Sequence, residues 1–364
     1  MELKRKMLIL FLLINFWNSS VAQERYAYRV ENVMEGIYVL HPEINDYRWV
    51  TANIIVIINQ RDVLVIDSGL LPSAAVEAIE EIRKLTNKPV KYLVNTHWHG
   101  DHWQGNETFI EYFPDIEIIA SKEGSDGIKR DGMVWVEVFY LKYFERMIAN
   151  YQERLDSGTK ADDTVLTKNE KTEIEQGIDA VKVDLAEMKK IKPRFPTITF
   201  SQQLNLRSGD REIQIHQLGR GNTKGDAIVY LPNEKVLITG DLVVHPSPYE
   251  SGSFSLEWLE TSRKLAAFKY EYLLPGHGNV QHDTSYLDFL NVLFEEIILQ
   301  VNQAYLKGNY LLEEFQALVN HESVTRVIAK EPRFAEHLKK LDSRFIPTCV
   351  ERIHRRAHDG KLVP

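Results

Sequence analysis

The chain of 364 residues has one cysteine, Cys349. No intrachain disulfide can form, and a zinc finger or ribbon built from several cysteines is excluded. There is no internal repeat or low-complexity tract. There is no phosphate-cradling glycine loop either, because Gly219-Arg-Gly221 lacks the required continuation. A segment long enough to span a membrane is missing from the N-terminus: the apolar run Met7 to Trp17 has 11 residues, against the roughly 20 that a bilayer core needs. That run follows Lys4, Arg5 and Lys6 and precedes the small residues of Ser20-Val21-Ala22. This is the layout of a cleaved signal peptide over residues 1–22. An exported chain starting at Gln23, periplasmic or secreted, without stable membrane insertion, is the expectation. No cysteine follows the cut, so no lipid anchor is indicated. Positive charge is also short: removing 1–22 takes three of the 44 basic and one of the 52 acidic residues, leaving a net charge of −10. Such a surface disfavours a nucleic-acid partner, whose phosphates are held by Lys and Arg.

The residues that are present describe an α/β protein. Gly36–Leu40, Ile54–Ile58 and Val63–Ile66 read as strands, and Val90–Val94 runs straight into Asn95-Thr96-His97. Residues 72–86 carry Ala75, Ile79, Ile82 and Leu85 at helical spacing. Strand signals return at Ile198–Phe200, Leu204–Leu206, Ile213–Leu218, Ala227–Leu231 and Lys235–Thr239. Between them, about 121–196, two helical stripes stand out. The first is Val134, Val138, Leu141, Ile148, Tyr151 and Leu155; the second is Ile174, Ile178, Val181, Leu185 and Met188. With a capping box at Thr167-Lys-Asn-Glu170 they predict an antiparallel helical hairpin, either an active-site lid or an appendage. From 284 to 364 a C-terminal helical extension is expected, its first stripe being Leu287, Leu290, Leu293, Phe294, Ile297 and Val301. His354 and His358 read as a solvated basic end, and His216 as an ordinary strand histidine.

Thr96-His97-Trp98-His99-Gly100-Asp101-His102 places three imidazoles and a carboxylate on one strand-to-helix loop. Neutral imidazole and carboxylate are good zinc ligands, and a loop of this kind can aim them at one point.

Here the sequence resembles the metallo-β-lactamase superfamily, whose signature is His-x-His-x-Asp-His. The likeness spans roughly residues 35–280, with five motifs in family order. These are Asp67 in Ile-Asp-Ser-Gly, the histidine loop, Gly219–Asp226, Thr239-Gly-Asp241, and Pro275-Gly-His277-Gly278. The resemblance implies a four-layer αβ/βα sandwich over 23–283, with the hairpin inserted. It implies His97 and His99 on one metal, Asp101, His102 and His277 on a second, Asp241 bridging, and Asp67 steadying the loop. One or two Zn²⁺ ions would then activate water against a small ester, lactone, thioester or amide, the β-lactam ring included, with Asp101 taking or relaying the proton. One departure bears on the first metal: the third motif usually supplies histidine where this chain has Asn222. His245 lines the pocket, replaces that imidazole, or is a rim histidine with no role. His41, Tyr47 and Trp49 flank the cleft as core or flap. Cysteine stands at the Asp241 position in one lactamase subclass; aspartate there is the pattern of glyoxalase-type thioesterases and lactonases. The alternatives are an iron-dependent oxygenase of the persulfide dioxygenase type, and a non-catalytic binding protein on the same fold.

Overall fold

A computed structural model describes residues 26–43, 51–160, 163–248 and 252–308, together with Val327, Cys349, Val350, Glu351 and Ile353. The expected signal segment, Tyr47, Trp49, His354, His358 and most of the expected C-terminal extension lie outside the described residues.

Among the described residues, twelve strands form two sheets. The first, in order β1 to β7, contains β1 (Ala27–Met34), β2 (Ile37–Glu43), β3 (Ile54–Ile58), β4 (Val63–Ile66), β5 (Val90–Val94), β6 (Glu117–Ser121) and β7 (Ile198–Phe200). The second contains β8 (Gln203–Ser208), β9 (Arg211–Gln217), β10 (Ala227–Leu231), β11 (Val236–Val244) and β12 (Tyr272–His277), in order β12-β11-β10-β9-β8. The central strands are apolar on both faces because both faces are covered. Ile55, Ile57, Leu64 and Ile66 meet Ile213, Ile215, Val229 and Ile238 of the other sheet. Their neighbours Ile54, Val56, Val63 and Val65 pack outward against α1 (Pro72–Leu85). On the far side, Leu237 and Val243 pack under the helices α7 (Ser255–Leu265) and α8 (Ser285–Leu306). Helix, sheet, sheet, helix is the four-layer αβ/βα sandwich. Each such side chain contributes about 1.5–3 kcal/mol on burial, and the inter-sheet layer alone holds 17 Ile, Val, Leu and Phe side chains buried. The stripe expected to open the C-terminal extension belongs to this core: Leu287, Leu290, Leu293, Phe294, Ile297 and Val301 are at most 1% exposed. The boundary at 284 therefore assigns to the extension a helix that closes the sandwich.

The helical insertion joins β6 to β7, which are parallel neighbours. Parallel strands need a crossover, and the hairpin is that crossover enlarged. It begins with α4 (Lys122–Gly127), passes through π-helical turns at Ile128–Gly132 and Trp135–Tyr140, and continues as α5 (Leu141–Ser157). The expected first stripe holds from Leu141 onward, where Leu141, Ile148, Tyr151 and Leu155 are partly buried and packed against the neighbouring clusters, and fails at its start. Val134 and Val138 are 54% and 50% exposed, while Ile128, Gly132, Tyr140 and Phe144 are buried. Each π turn winds an extra residue into the helix and shifts its buried face, which the regular spacing did not anticipate. The return helix α6 (Lys168–Met188) keeps its stripe and begins with the capping box of Thr167 and Glu170. At the root of the hairpin, Phe144, Val181 and Met188 pack on Leu70, Leu71 and Ala74 at the start of α1.

Candidate metal centre

β4 and β5 are parallel neighbours and end side by side. Asp67 follows β4 with φ at 63°, which aims its carboxylate across the strand ends. That carboxylate accepts from the Thr96 amide (2.8 Å) and hydroxyl (3.0 Å), and from Nδ1 of His102 at 2.7 Å. The side-chain amide of Asn95 donates to the His102 carbonyl at 2.8 Å. Held at Nδ1, His102 presents Nε2 to the cleft. The short helices α2 (Gly100–Trp103) and α3 (Asn106–Tyr112) carry the chain away. Asp67 is missed by any search restricted to the histidine run, but its place in Ile-Asp-Ser-Gly makes it legible.

The other candidates come from the strand ends of the second sheet. Asp241 lies within β11 and His277 ends β12, which runs parallel to it. Nε2 of His97 and Nδ1 of His99 are 2.9 Å apart, and Oδ2 of Asp241 is 3.7 Å from that His97 nitrogen. The other oxygen of Asp241 faces Nε2 of His102 and Nε2 of His277, both at 3.5 Å. Asp101 completes this second half, 3.1 Å from His277 and 3.5 Å from His102. Two overlapping donor groups result: His97, His102 and Asp241, and Asp101, His102 and His277.

Five of these six side chains are buried and His277 is 15% exposed, and their ionisation reflects it. Burial holds His97 well below the ordinary imidazole range, and His102 beside it adds to the effect. Burial acts against charge on His277 too, but Asp241 and Asp101 outweigh it and push this imidazole up to about 10. His102 is raised in the same way. Burial pushes Asp241 up, and His277 and His102 more than reverse it, leaving the carboxylate well below its usual range. Anions and cations are thus packed together in a dry cleft, where a divalent ion can take the place of the imidazole protons.

The donor chemistry fits such an ion. Nε2 of His102 and Oδ1 of Asp241 are buried without a hydrogen-bond partner, and each stands within 3.5 Å of another potential ligand. Room for the Asp241 carboxylate depends on Gly276, where a Cβ would stand 2.0 Å from Oδ1. Asn222 is fully buried in the third-motif loop. That loop is pinned by Asp226, whose carboxylate accepts from the Thr223 amide at 2.9 Å and its hydroxyl at 2.8 Å. Asp226 does for this loop what Asp67 does for the histidine loop, a role visible only once the loop is folded. His245 belongs to neither donor group. It lies edge-on to Tyr286 at 5.0 Å and lines a cavity of about 310 Å³ with His277, His41, Asn53 and Arg29. His41 is buried and bonded to Glu31 at 3.0 Å. His216 sits on β9, half-buried, away from both groups.

Comparison with known proteins agrees with this architecture. A linear primary-alkylsulfatase from Pseudomonas sp. (strain ATCC 19151) is 21% identical over 226 residues, 59% of this chain but only 39% of that protein. A type 2 metallo-beta-lactamase from Elizabethkingia meningoseptica is 20% identical over 285 residues, covering 76% of this chain and 89% of the relative. Among solved structures, the metallo-beta-lactamase from Pontibacter korlensis superposes with a TM-score of 0.51 at 17% identity, over 74% of this chain and 99% of that one. The sequence profile of the Metallo-beta-lactamase superfamily matches residues 47–277, and with the two-sheet sandwich and the clustered His and Asp donors around it, the chain belongs to that superfamily.

Proposed function

We propose that this protein is a zinc-dependent hydrolase of small esters, lactones, thioesters or amides, the β-lactam ring included. One or two zinc ions would be held by His97, His99, Asp101, His102, Asp241 and His277. The observation that carries the reading is the division of the Asp241 carboxylate, one oxygen toward His97 and the other toward His102 and His277. A carboxylate so placed suits a bridge between two ions. Zinc in such a site lowers the pKa of water toward about 7 and polarises the bond under attack.

The chain's own residues supply the rest. Asp67 fixes the tautomer and direction of His102 through the 2.7 Å contact at Nδ1. Asp101 stands at the edge of the donor group and is suited to take a proton from water and return it to the leaving atom. His245, beside His277 in the cavity wall, would hold a polar group of the substrate, and Asn222 would offer an amide oxygen to the first ion. Water adds to the carbonyl, the bond to the leaving oxygen, sulfur or nitrogen breaks, and the proton passes to that atom. The N-terminal pattern and acidic balance support an exported enzyme with a small-molecule substrate. The alkylsulfatase relative adds sulfate esters to the substrates to be tried.

The test is a turnover panel of metal-loaded protein on esters, lactones, thioesters, nitrocefin and a primary alkyl sulfate, with metal content by emission spectroscopy. Turnover that tracks zinc is expected. No turnover anywhere with metal bound defeats the reading in favour of a binding protein. Iron with oxygen uptake on a persulfide defeats it in favour of a dioxygenase.

A further inference from the structure

A second cavity, of about 350 Å³, is lined by residues of the inserted helix and of the loops that carry the motifs. Its wall includes Trp98 from the histidine loop, Val134 and Trp135 from the second helix turn region, and Phe254 just before α7. Two residues of its wall back onto the donor group: the ring of Trp98 lies 4.4 Å from that of His99, and the ring of Trp135 lies 6.3 Å from it. Phe254 is tied to the third-motif loop by its amide, which donates to the Gly221 carbonyl at 2.8 Å.

The helix is built to lie here. A Cβ on Gly127 would stand 2.8 Å from Cδ1 of Trp98, so glycine lets the backbone rest on the indole. The π turns then rotate Trp135 toward His99 and leave Val134 turned outward, 54% exposed. The cations in the wall are already balanced, Arg130 by Asp131 at 2.8 Å and Lys224 by Glu123 at 2.6 Å. An anionic occupant would gain little from them, whereas an apolar one would cover Val134 and the partly exposed Trp135.

We infer that this cavity is the subsite for an alkyl chain of the substrate, attached to the bond that the metal centre cleaves, and that the inserted helix builds it. The inference rests on the hydrolase reading for the reaction but not for the binding. Butanoate, hexanoate and octanoate share one head group and differ only in chain length. Titrated into metal-loaded protein while tryptophan fluorescence is followed, they should bind up to about fourfold more tightly per added methylene. Val134→Asp, at an exposed position that tolerates the change, should flatten that series, and Val134→Leu should keep it. With thioesters of the same acids, KM should fall with chain length in the wild type, and Val134→Asp should raise KM most for octanoyl. Affinities that do not rise with length, or a rise unchanged in Val134→Asp, overturn the subsite. A length-dependent, Val134-sensitive affinity without turnover of any substrate in the panel upholds the subsite and overturns the hydrolase reading.

Discussion

Individual side chains divide the centre into groups that would touch a metal and groups that aim them. Asp67 aims: its single carboxylate serves the Thr96 amide, the Thr96 hydroxyl and His102 Nδ1. Asp67→Asn loses the charged acceptor for His102, and loss of such a partner costs metal affinity about 10- to 100-fold. A competition titration with a chromophoric chelator would measure it; an unchanged affinity would mean that packing alone orients the ring. Asp101 is the opposite case, a donor whose removal should spare the fold. Asp101→Ala is expected to lower turnover by about 10²- to 10⁴-fold on any confirmed substrate, the range for a lost general acid or base, and activity within about tenfold of wild type would remove Asp101 from the mechanism. With Asn222 where a histidine would otherwise complete the proposed site, the two halves should be unequal, since an amide oxygen is a poorer zinc donor than imidazole. Dilute chelator should therefore strip the protein in two steps, and Asn222→His should draw those steps together. Two equal affinities in the native protein, unaltered by the substitution, would show that the first half is already complete.

Helices and strands show how far pattern reading reaches. β3, β4, β5 and β10 were legible to the residue because inner strands are short, largely apolar runs, and β7, at the sheet edge, through its β-prone Ile-Thr-Phe. β1 was not: it is an edge strand with mixed exposure, so its sequence Ala-Tyr-Arg-Val-Glu-Asn-Val-Met lacks a clean alternation. β12 contains Pro275, which argues against a strand, but its pairing with β11 includes Pro275 opposite Gly240 at a register shift. The first insertion helix misled because spacing arithmetic presumes an unbroken α-helix, and two π turns reset the phase before α5. The metal donors were legible because four of them lie within six residues, whereas the alkyl subsite was not, since Trp135 and Phe254 meet Trp98 only through tertiary folding. The capping box is a separate matter of local stability. Thr167 lies at the outer end of α6, whose 21 residues span about 30 Å. Thr167→Ala should cost about 1 kcal/mol, lowering Tm with metal content and turnover unchanged. A loss of turnover would show that the hairpin transmits strain to the site.

Across the whole molecule, metal loading, protonation and stability are linked, and the sign can be worked out. In the metal-free protein His277 stays protonated up to about 10, because Asp241 and Asp101 outweigh the burial that opposes its charge. In the unfolded chain a histidine titrates near 6.5. A group raised on folding contributes stability that is complete below the unfolded pKa and is lost as pH climbs through the folded one. The metal-free protein should therefore lose this contribution progressively between about pH 6.5 and 10. Metal uptake runs the other way: ligation requires the neutral imidazole, so binding displaces the proton from His277 and, with its raised affinity for protons, from His102. Affinity for the ion should rise with pH across the same window, and tighter binding to the folded state alone raises Tm. The gap in Tm between zinc-loaded and chelator-treated protein should widen from pH 6.5 to 9. Calorimetric titration of zinc in two buffers of different ionisation enthalpy should show net proton release at pH 7.5. A gap that narrows with pH, or zinc uptake with no proton released, would mean that His277 is already neutral in the metal-free protein and that the two carboxylates do not clamp it.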